Sequence, residues 1–447
     1  MEKEMTSAVA QELYQRVFAL MNEKAVYAVL RNFDRFPLAN TSRDIDIVLS
    51  LSTWKSIRRP LLDTMVQLGW QLVTLLQSDR VDTWVVAHET PEHTELVQWD
   101  FFFDTSVFGV RLASAAELLQ GRVFNGFLYH VSKEWEFLDK YLYDRAVGAP
   151  YPEKYAATRA AAENSEVVQR KLKSLYGMPS VAACDKAGKV RLLLRALGGN
   201  MLHRPFGQLW GMANFLRTFL GNYLRSRTGF SVGFTGPDGS GKTTVIDMAI
   251  ARMSSVFEKA HVLYHFRPSL FGNLGEVAHA AGVKKEVDRD YSKPHRGGKT
   301  GKISSLIRLA YYSLDYILGY FLRVKTQTRI TRLVIFDRYY TDIMADSRRS
   351  RIYLPLRFLY WFGKLFIPSL DYNILLTASA EHILARKREL DEEGIRSINE
   401  KLDYLAAKPG YKLFLNEGTP QQAVHAILSY LFSEQHKRNL KRLGVKK

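Results

Sequence analysis

Residues 236–244 read Gly-Pro-Asp-Gly-Ser-Gly-Lys-Thr-Thr, the spacing G-x-x-x-x-G-K-[ST]. Few patterns constrain a fold so tightly. The loop must follow a strand and open a helix. Both flanks comply: Phe230–Thr235 is a short β-prone run, and Val-Ile-Asp-Met-Ala-Ile at 245–250 reads as helix. Gly236, Gly239 and Gly241 let backbone N–H groups turn inward around an anion, at the positive end of the following helix. Lys242 would reach terminal phosphates, and the Thr243 hydroxyl would hold Mg²⁺. A chance glycine-rich turn is the bland alternative, and Lys-Thr-Thr with correct flanks argues against it.

A chain of 447 residues, 47% hydrophobic, has room for two or three domains with ordinary cores. Its single cysteine, Cys184, forms no internal disulfide; a buried structural thiol in a reducing cytoplasm is the expectation. The opening Met-Glu-Lys-Glu-Met-Thr has no signal-peptide pattern. The 63 basic and 45 acidic side chains leave a net charge of +18, which favours anionic partners: nucleotides, nucleic acid or acidic lipid. Nucleic acid is the weakest of these, because the charge is spread and no recognised binding motif accompanies it.

Residues 1–150 read as one α/β unit: a helix at 7–22, then strands at 25–31 and 45–51. Asp44 and Asp46 lie one residue apart on the second strand and so share a face. Asp100 sits inside another apolar strand, Leu-Val-Gln-Trp-Asp-Phe-Phe-Phe. Three converging acids would hold a divalent metal and a triphosphate. The arrangement resembles the nucleotidyltransferase superfamily, with its Asp-x-Asp pair and a third acid on a later strand. That family places a Gly-Ser turn ahead of the pair; here the position reads Leu30-Arg31-Asn32-Phe33. Three readings stay open: an active or nucleotide-binding site, a degenerate scaffold, and plain strand-end acids.

Residues 151–228 read as a helical connector. Helices are expected at 127–146, 155–176, 190–197 and 209–225, with a break at Met178-Pro179-Ser180. Beyond it, strands are expected at 260–266, 333–337, 371–376 and 411–415. Helices are expected at 306–322, 381–393 and 420–432, and a polar loop at 284–302. Strand and helix alternate, so residues 229–447 should form an α/β domain with a parallel sheet flanked by helices.

Four features then line up: the loop, the strand ending Asp337-Arg338-Tyr339, the strand at 373–376, and the basic helix carrying Arg386-Lys387-Arg388. Together they resemble the thymidylate kinase family of P-loop kinases, over about 229–435. The resemblance implies ATP and Mg²⁺ as cofactors. Gly236, Gly239, Ser240, Gly241, Lys242, Thr243 and Thr244 would bind ATP. Asp337 would stand beside the metal, Arg338 would grip an anionic group of the acceptor, and Asp238 would orient a hydroxyl. The loop has no basic residue before Lys242, so Arg386 and Arg388 would supply the transition-state arginine. The bland alternatives are a solvated face for 386–388, an ion pair for Arg338 and a strand-end acid for Asp337.

The family's Ala-Asp-Arg and Ala-Tyr-Gln elements near thymine have no match at 309–316 or 342–349, which argues against dTMP as the acceptor. The Arg348-Arg349-Ser350-Arg351 cluster points to another anionic partner or to a solvated loop. His-Phe-Arg-Pro at 265–268, Pro294-His295, Asp-Arg-Tyr-Tyr and Arg-Lys-x-Glu-Leu at 386–390 are similar to a bacterial thymidylate-kinase-like group linked to polysaccharide and lipopolysaccharide assembly. That likeness implies a sugar, glycolipid or phosphorylated glycan precursor as acceptor.

Three stretches, 209–227, 306–323 and 352–367, mix aromatics with bases. Arg308 and Asp315 exclude a span in the second. Arg357 and Lys364 share one face of the third, as in an interfacial helix, and six Lys or Arg lie in the last twelve residues. A core or interdomain helix with a solvated tail is the leading reading, and contact with an anionic membrane is the alternative. The sequence therefore reads as a cytoplasmic phosphotransferase, with peripheral inner-membrane contact and a homodimer left open. Its rivals are a nucleoside monophosphate kinase, nucleotidyl transfer at residues 44, 46 and 100, and a nucleotide-gated non-catalytic module.

Overall fold

The computed structural model describes residues 6–40, 42, 44–224, 228–253, 261–268, 270–271, 301–329, 332–387 and 389–445. Arg43, Arg388, the polar loop up to residue 300 and Pro294-His295 lie outside the described residues. The chain is mixed α/β and divides into two compact units. The first holds residues 1–88, 95–226 and 435–447, and the second holds 89–94 and 227–434. Helices within 151–224 thus belong to the first unit.

The first unit is built on a mixed sheet. Its strands in chain order are β1 (Tyr27–Val29), β2 (Asp44–Leu49), β3 (Gln71–Gln77), β4 (Val81–Glu89), β5 (Thr94–Phe102), β8 (Val123–Phe124) and β9 (Tyr129–His130); β6 (Asp104–Val107) and β7 (Val110–Ser114) form a separate antiparallel pair. The sheet order is β3-β4-β5-β2-β1-β9-β8. Alternation on β2 sends Ile45, Ile47 and Leu49 into one core with helices Ala8–Lys24 and Leu51–Gln67. Val48 joins the opposite core, where helices Lys133–Val147, Glu166–Tyr176 and Lys189–His203 pack.

Several helices differ from the sequence reading. The one expected at 127–146 begins at Lys133, because Ser132 caps it and β9 precedes it. The one expected at 155–176 is interrupted, and Ser165 caps a new helix at Glu166.

In the second unit β10 (Phe230–Thr235), β11 (His261–His265), β12 (Leu333–Asp337), β13 (Tyr372–Thr377) and β14 (Tyr411–Leu415) form a parallel sheet in the order β11-β12-β10-β13-β14. Every residue of β10 is buried, as a central strand covered on both faces requires. Asp315, inside helix Lys302–Gly319, is wholly buried and paired with Arg267 at 2.9 Å. Asp315 also accepts from the backbone N–H groups of Leu270 and Phe271. Arg267 of the His-Phe-Arg-Pro run is therefore an internal tie. The expected helix at 381–393 is two: Ala380–Arg386 ends where Lys387 turns extended, and Asp391 caps Glu392–Ala406. Among the described residues, no helix is long and apolar enough to cross a membrane.

Candidate functional site

The glycine loop joins β10 to helix Lys242–Arg252, so its N–H groups crowd the helix N-terminus. Gly239 and Gly241 adopt φ of 86° and 87°, the left-handed region that glycine enters without penalty. At Gly236 the limit is space: a Cβ would stand 1.9 Å from the Leu376 carbonyl oxygen on neighbouring β13.

Lys242 is buried, and its Nζ donates to the carbonyls of Gly236 and Pro237, each at 2.8 Å. Burial first, and the nearby Arg338 charge second, push its pKa down to about 7. An ammonium so destabilised gains strongly from phosphate oxygens. Thr243 and Thr244 stand exposed at the helix start. The Ser240 hydroxyl is buried with no hydrogen-bond partner among the described residues. Asn416 holds the loop from behind: its Nδ2 donates to the Ser240 carbonyl at 2.8 Å, and its backbone carbonyl accepts from Arg386 at 3.0 Å. Arg386 thus stands beside Gly241.

Parallel pairing sets Asp337 opposite Phe234, at the end of β12 next to the loop strand. One carboxylate oxygen, Oδ1, is buried without a hydrogen-bond partner among the described residues; the other lies 3.5 Å from His265 Nδ1. A hard carboxylate oxygen beside the glycine loop fits Mg²⁺, as does the exposed Thr243 hydroxyl. Arg338 follows with φ of 78°, unusual outside glycine, and is fixed there by its N–H to the Phe234 carbonyl at 2.9 Å. Its guanidinium bonds Asp238 and, at 2.9 Å, Asp342. Burial raises the Asp342 pKa, opposed by the Arg338 charge. Arg349 also bonds Asp238 and lies 3.5 Å from Asp346. Of the 348–351 cluster, Arg349 turns inward, whereas Arg348 is exposed near Asp391. Asp238, Arg338 and Arg349 form a compact charged face beside Lys242. The sequence named Arg349 only as part of a cluster and missed Asn416 and Asp342.

The first unit carries a second constellation. Parallel pairing of β2 with β5 sets Asp44 opposite Gln98 and Asp46 opposite Asp100. One oxygen each of Asp44, Asp46 and Asp100 lies within 4.8 Å of the others. They line a cavity of about 300 Å³ with Arg31, Arg80, Asp139, Lys140, Tyr143 and Lys154. Arg31 bridges Asp46 at 2.6 Å and Asp139 at 3.1 Å. Ser42 donates to Asp44 at 2.5 Å, Thr83 donates to Asp100, and Gln98 donates to Asp100 at 2.9 Å. Burial pushes the Asp100 pKa up to about 7, with Asp46 adding to the rise. Three oxygen donors at this spread fit a divalent cation. Arg31 already supplies one positive charge there, where the nucleotidyltransferase pattern has its Gly-Ser turn.

No family model matches this chain, and no curated protein matches it. Among solved structures, a thymidylate kinase from Ehrlichia chaffeensis is similar to 45% of this chain and 98% of its own, at 16% identity and a TM-score of 0.32.

Proposed function

We propose that the second unit is an ATP- and Mg²⁺-dependent phosphotransferase, moving the γ-phosphate to an acceptor of the glycan or glycolipid-precursor class. One observation carries the reading: a buried Lys242 folded onto its own glycine loop, next to a strand-end Asp337 with an oxygen unpartnered among the described residues. The acceptor class rests on resemblance alone.

Phosphoryl transfer needs positioning and charge neutralisation more than covalent help. Residues 239–243 would cradle the β- and γ-phosphates with backbone N–H groups, and Lys242 would exchange its two carbonyls for phosphate oxygens. Thr243 and Asp337 would hold Mg²⁺, which when bound offsets phosphate charge. Asp238 would orient the acceptor hydroxyl and receive its proton. Arg338 and Arg349 would hold an anionic group of the acceptor, and Arg386 would approach the transferred group from the 380–386 helix.

The test is parallel incubation with γ-labelled and α-labelled ATP, offering dTMP, other nucleoside monophosphates and a bacterial glycolipid extract. Transfer of γ label, lost by at least ~10²-fold in Lys242→Ala, supports the kinase. A second reading, nucleotidyl transfer in the first unit, draws on the convergence of Asp44, Asp46 and Asp100. It requires transfer of α label, lost in Asp44→Ala with Asp46→Ala and kept in Lys242→Ala. Nucleotide binding without transfer of either label would favour a nucleotide-gated binding module.

A further inference from the structure

Helix Pro205–Leu224 is oriented against the usual rule for a surface helix. Its twenty residues span about 30 Å. The face toward the protein carries Gln208, Gly211, Asn214, Phe215 and Thr218. Gln208 is buried and donates to the Gly109 carbonyl at 2.9 Å, while accepting from Asn200 at 2.9 Å. Gly211 packs so closely that a Cβ would stand 2.9 Å from the Gly109 oxygen. Phe215 meets Phe108 edge-on at 5.9 Å. The helix is thus fastened along one side to the turn between β6 and β7.

The other side is apolar and open. Phe206 is 86% exposed and Trp210 74%, and Leu209, Met212, Leu216, Phe219 and Leu220 are exposed beside them. The preceding helix, Lys189–His203, adds Leu202 at 79% next to the joining Arg204. Surface helices of soluble proteins turn apolar residues inward. Here polar residues face in and large apolar ones face out, over a contiguous strip that monomers seldom leave bare.

Charge identifies what covers the strip. From residue 186 to 227 the sequence holds eight lysines and arginines and no aspartate or glutamate. Arg191, His203, Arg204 and Arg217 are exposed around the apolar residues. A second copy packed face to face would bring the bases of the two strips together, and of the acids Asp79, Asp104 and Glu117 in the adjoining cavity, Asp104 is already paired with Arg111 and Glu117 with Lys171. An anionic bilayer meets both demands: acyl chains take the apolar strip, and headgroups meet the bases.

We propose that helix 205–224, with the Leu202-to-Phe206 tip, lies in the interface of an anionic phospholipid membrane. The proposal is independent of the reactions considered above. It also differs from the sequence reading, which named 352–367 as the candidate interfacial helix and ranked a core or interdomain helix above it.

The test is flotation of the full chain with vesicles of phosphatidylcholine alone or mixed with phosphatidylglycerol. The protein should float with the mixed vesicles and not with phosphatidylcholine alone, and flotation should fall as salt rises. Phe206→Ser with Trp210→Ser should weaken binding at least about tenfold. Arg204→Glu with Arg217→Glu should do the same by a different route, so a folding defect in one pair is caught by the other. Trp210→Phe should still bind, but should lose quenching by brominated lipid. Absence of flotation, equal flotation with neutral vesicles, or parent-like binding by both double variants would overturn the proposal. So would a dimer, seen by sedimentation, that forms without lipid and is lost in Phe206→Ser with Trp210→Ser.

Discussion

Two arginines share one carboxylate beside the glycine loop. Arg338 and Arg349 both bond Asp238, although Arg349 lies 111 residues away in sequence. A guanidinium carries five donors in a planar fork, so each arginine keeps capacity for an incoming anion after binding Asp238. In the proposed kinase, Arg349→Ala should therefore raise the acceptor KM by roughly ten- to a hundredfold, the worth of a charge-assisted hydrogen bond. ATP affinity should change little, because Lys242 and the loop amides remain. Steady-state kinetics with each substrate varied in turn separates the two. A second residue-scale consequence concerns Glu136, whose pKa is pushed from 4.5 up to about 7 by burial first and then by Asp34. Its ionised form is disfavoured in the folded chain, so stability falls as pH rises through the window from 4.5 to 7. Glu136→Gln removes that loss. Melting curves should show no gain near about pH 4 and the full gain near about pH 8.

At the scale of elements, the glycine loop depends on a support that is remote in sequence. Asn416, just past β14, donates to the Ser240 carbonyl from 176 positions away and accepts from Arg386. Two hydrogen bonds worth ~1 kcal/mol each fix the loop against the 380–386 helix. Asn416→Ala removes only the side-chain bond to Ser240, because Arg386 is held by the backbone carbonyl, and should weaken the proposed ATP binding about fivefold by calorimetry while leaving the far-UV circular dichroism unchanged. This support also marks the limit of what the sequence discloses. β10, β12 and β14 were legible because each is a short β-prone run beginning and ending near turn or charged residues. The placement of the candidate acids was legible too, since alternation sets Asp44 and Asp46 on one face and Asp337 closes its strand. Asn416 and the inward turn of Arg349 leave no local signal, because their partners come from other elements of the fold. The helix expected at 381–393 failed for the opposite reason: its composition suits a helix, and only the extended Lys387 and the Asp391 cap divide it.

Across the whole molecule, chain order and packing part company at the C-terminus. The long helix Pro420–Arg442 begins in the second unit, but residues from Gln435 onward belong to the first. There they cover β3, the edge of the mixed sheet. His436 Nδ1 accepts the Leu72 N–H at 3.0 Å, and burial keeps its pKa below 6.5, in the neutral form that can accept. Asn439 donates to the carbonyls of Leu72 and Val73, Arg442 donates to that of Leu75 at 2.9 Å, and Leu440, Leu443 and Val445 pack on the adjoining core. The basic tail that the sequence left as solvated or lipid-facing is, through residue 445, an edge cover. An uncovered edge strand loses its partners and invites pairing with other chains. Removal of residues 435–447 should therefore destabilise the first unit by about 1 kcal/mol per lost hydrogen bond, plus the apolar contacts. It should also speed hydrogen exchange at the Leu72 amide and promote aggregation. The ATP binding proposed for the second unit, whose core and loop lie before residue 435, should persist. Calorimetry with and without ATP checks this: nucleotide should still raise a transition in the shortened chain, while the transition belonging to the first unit moves down.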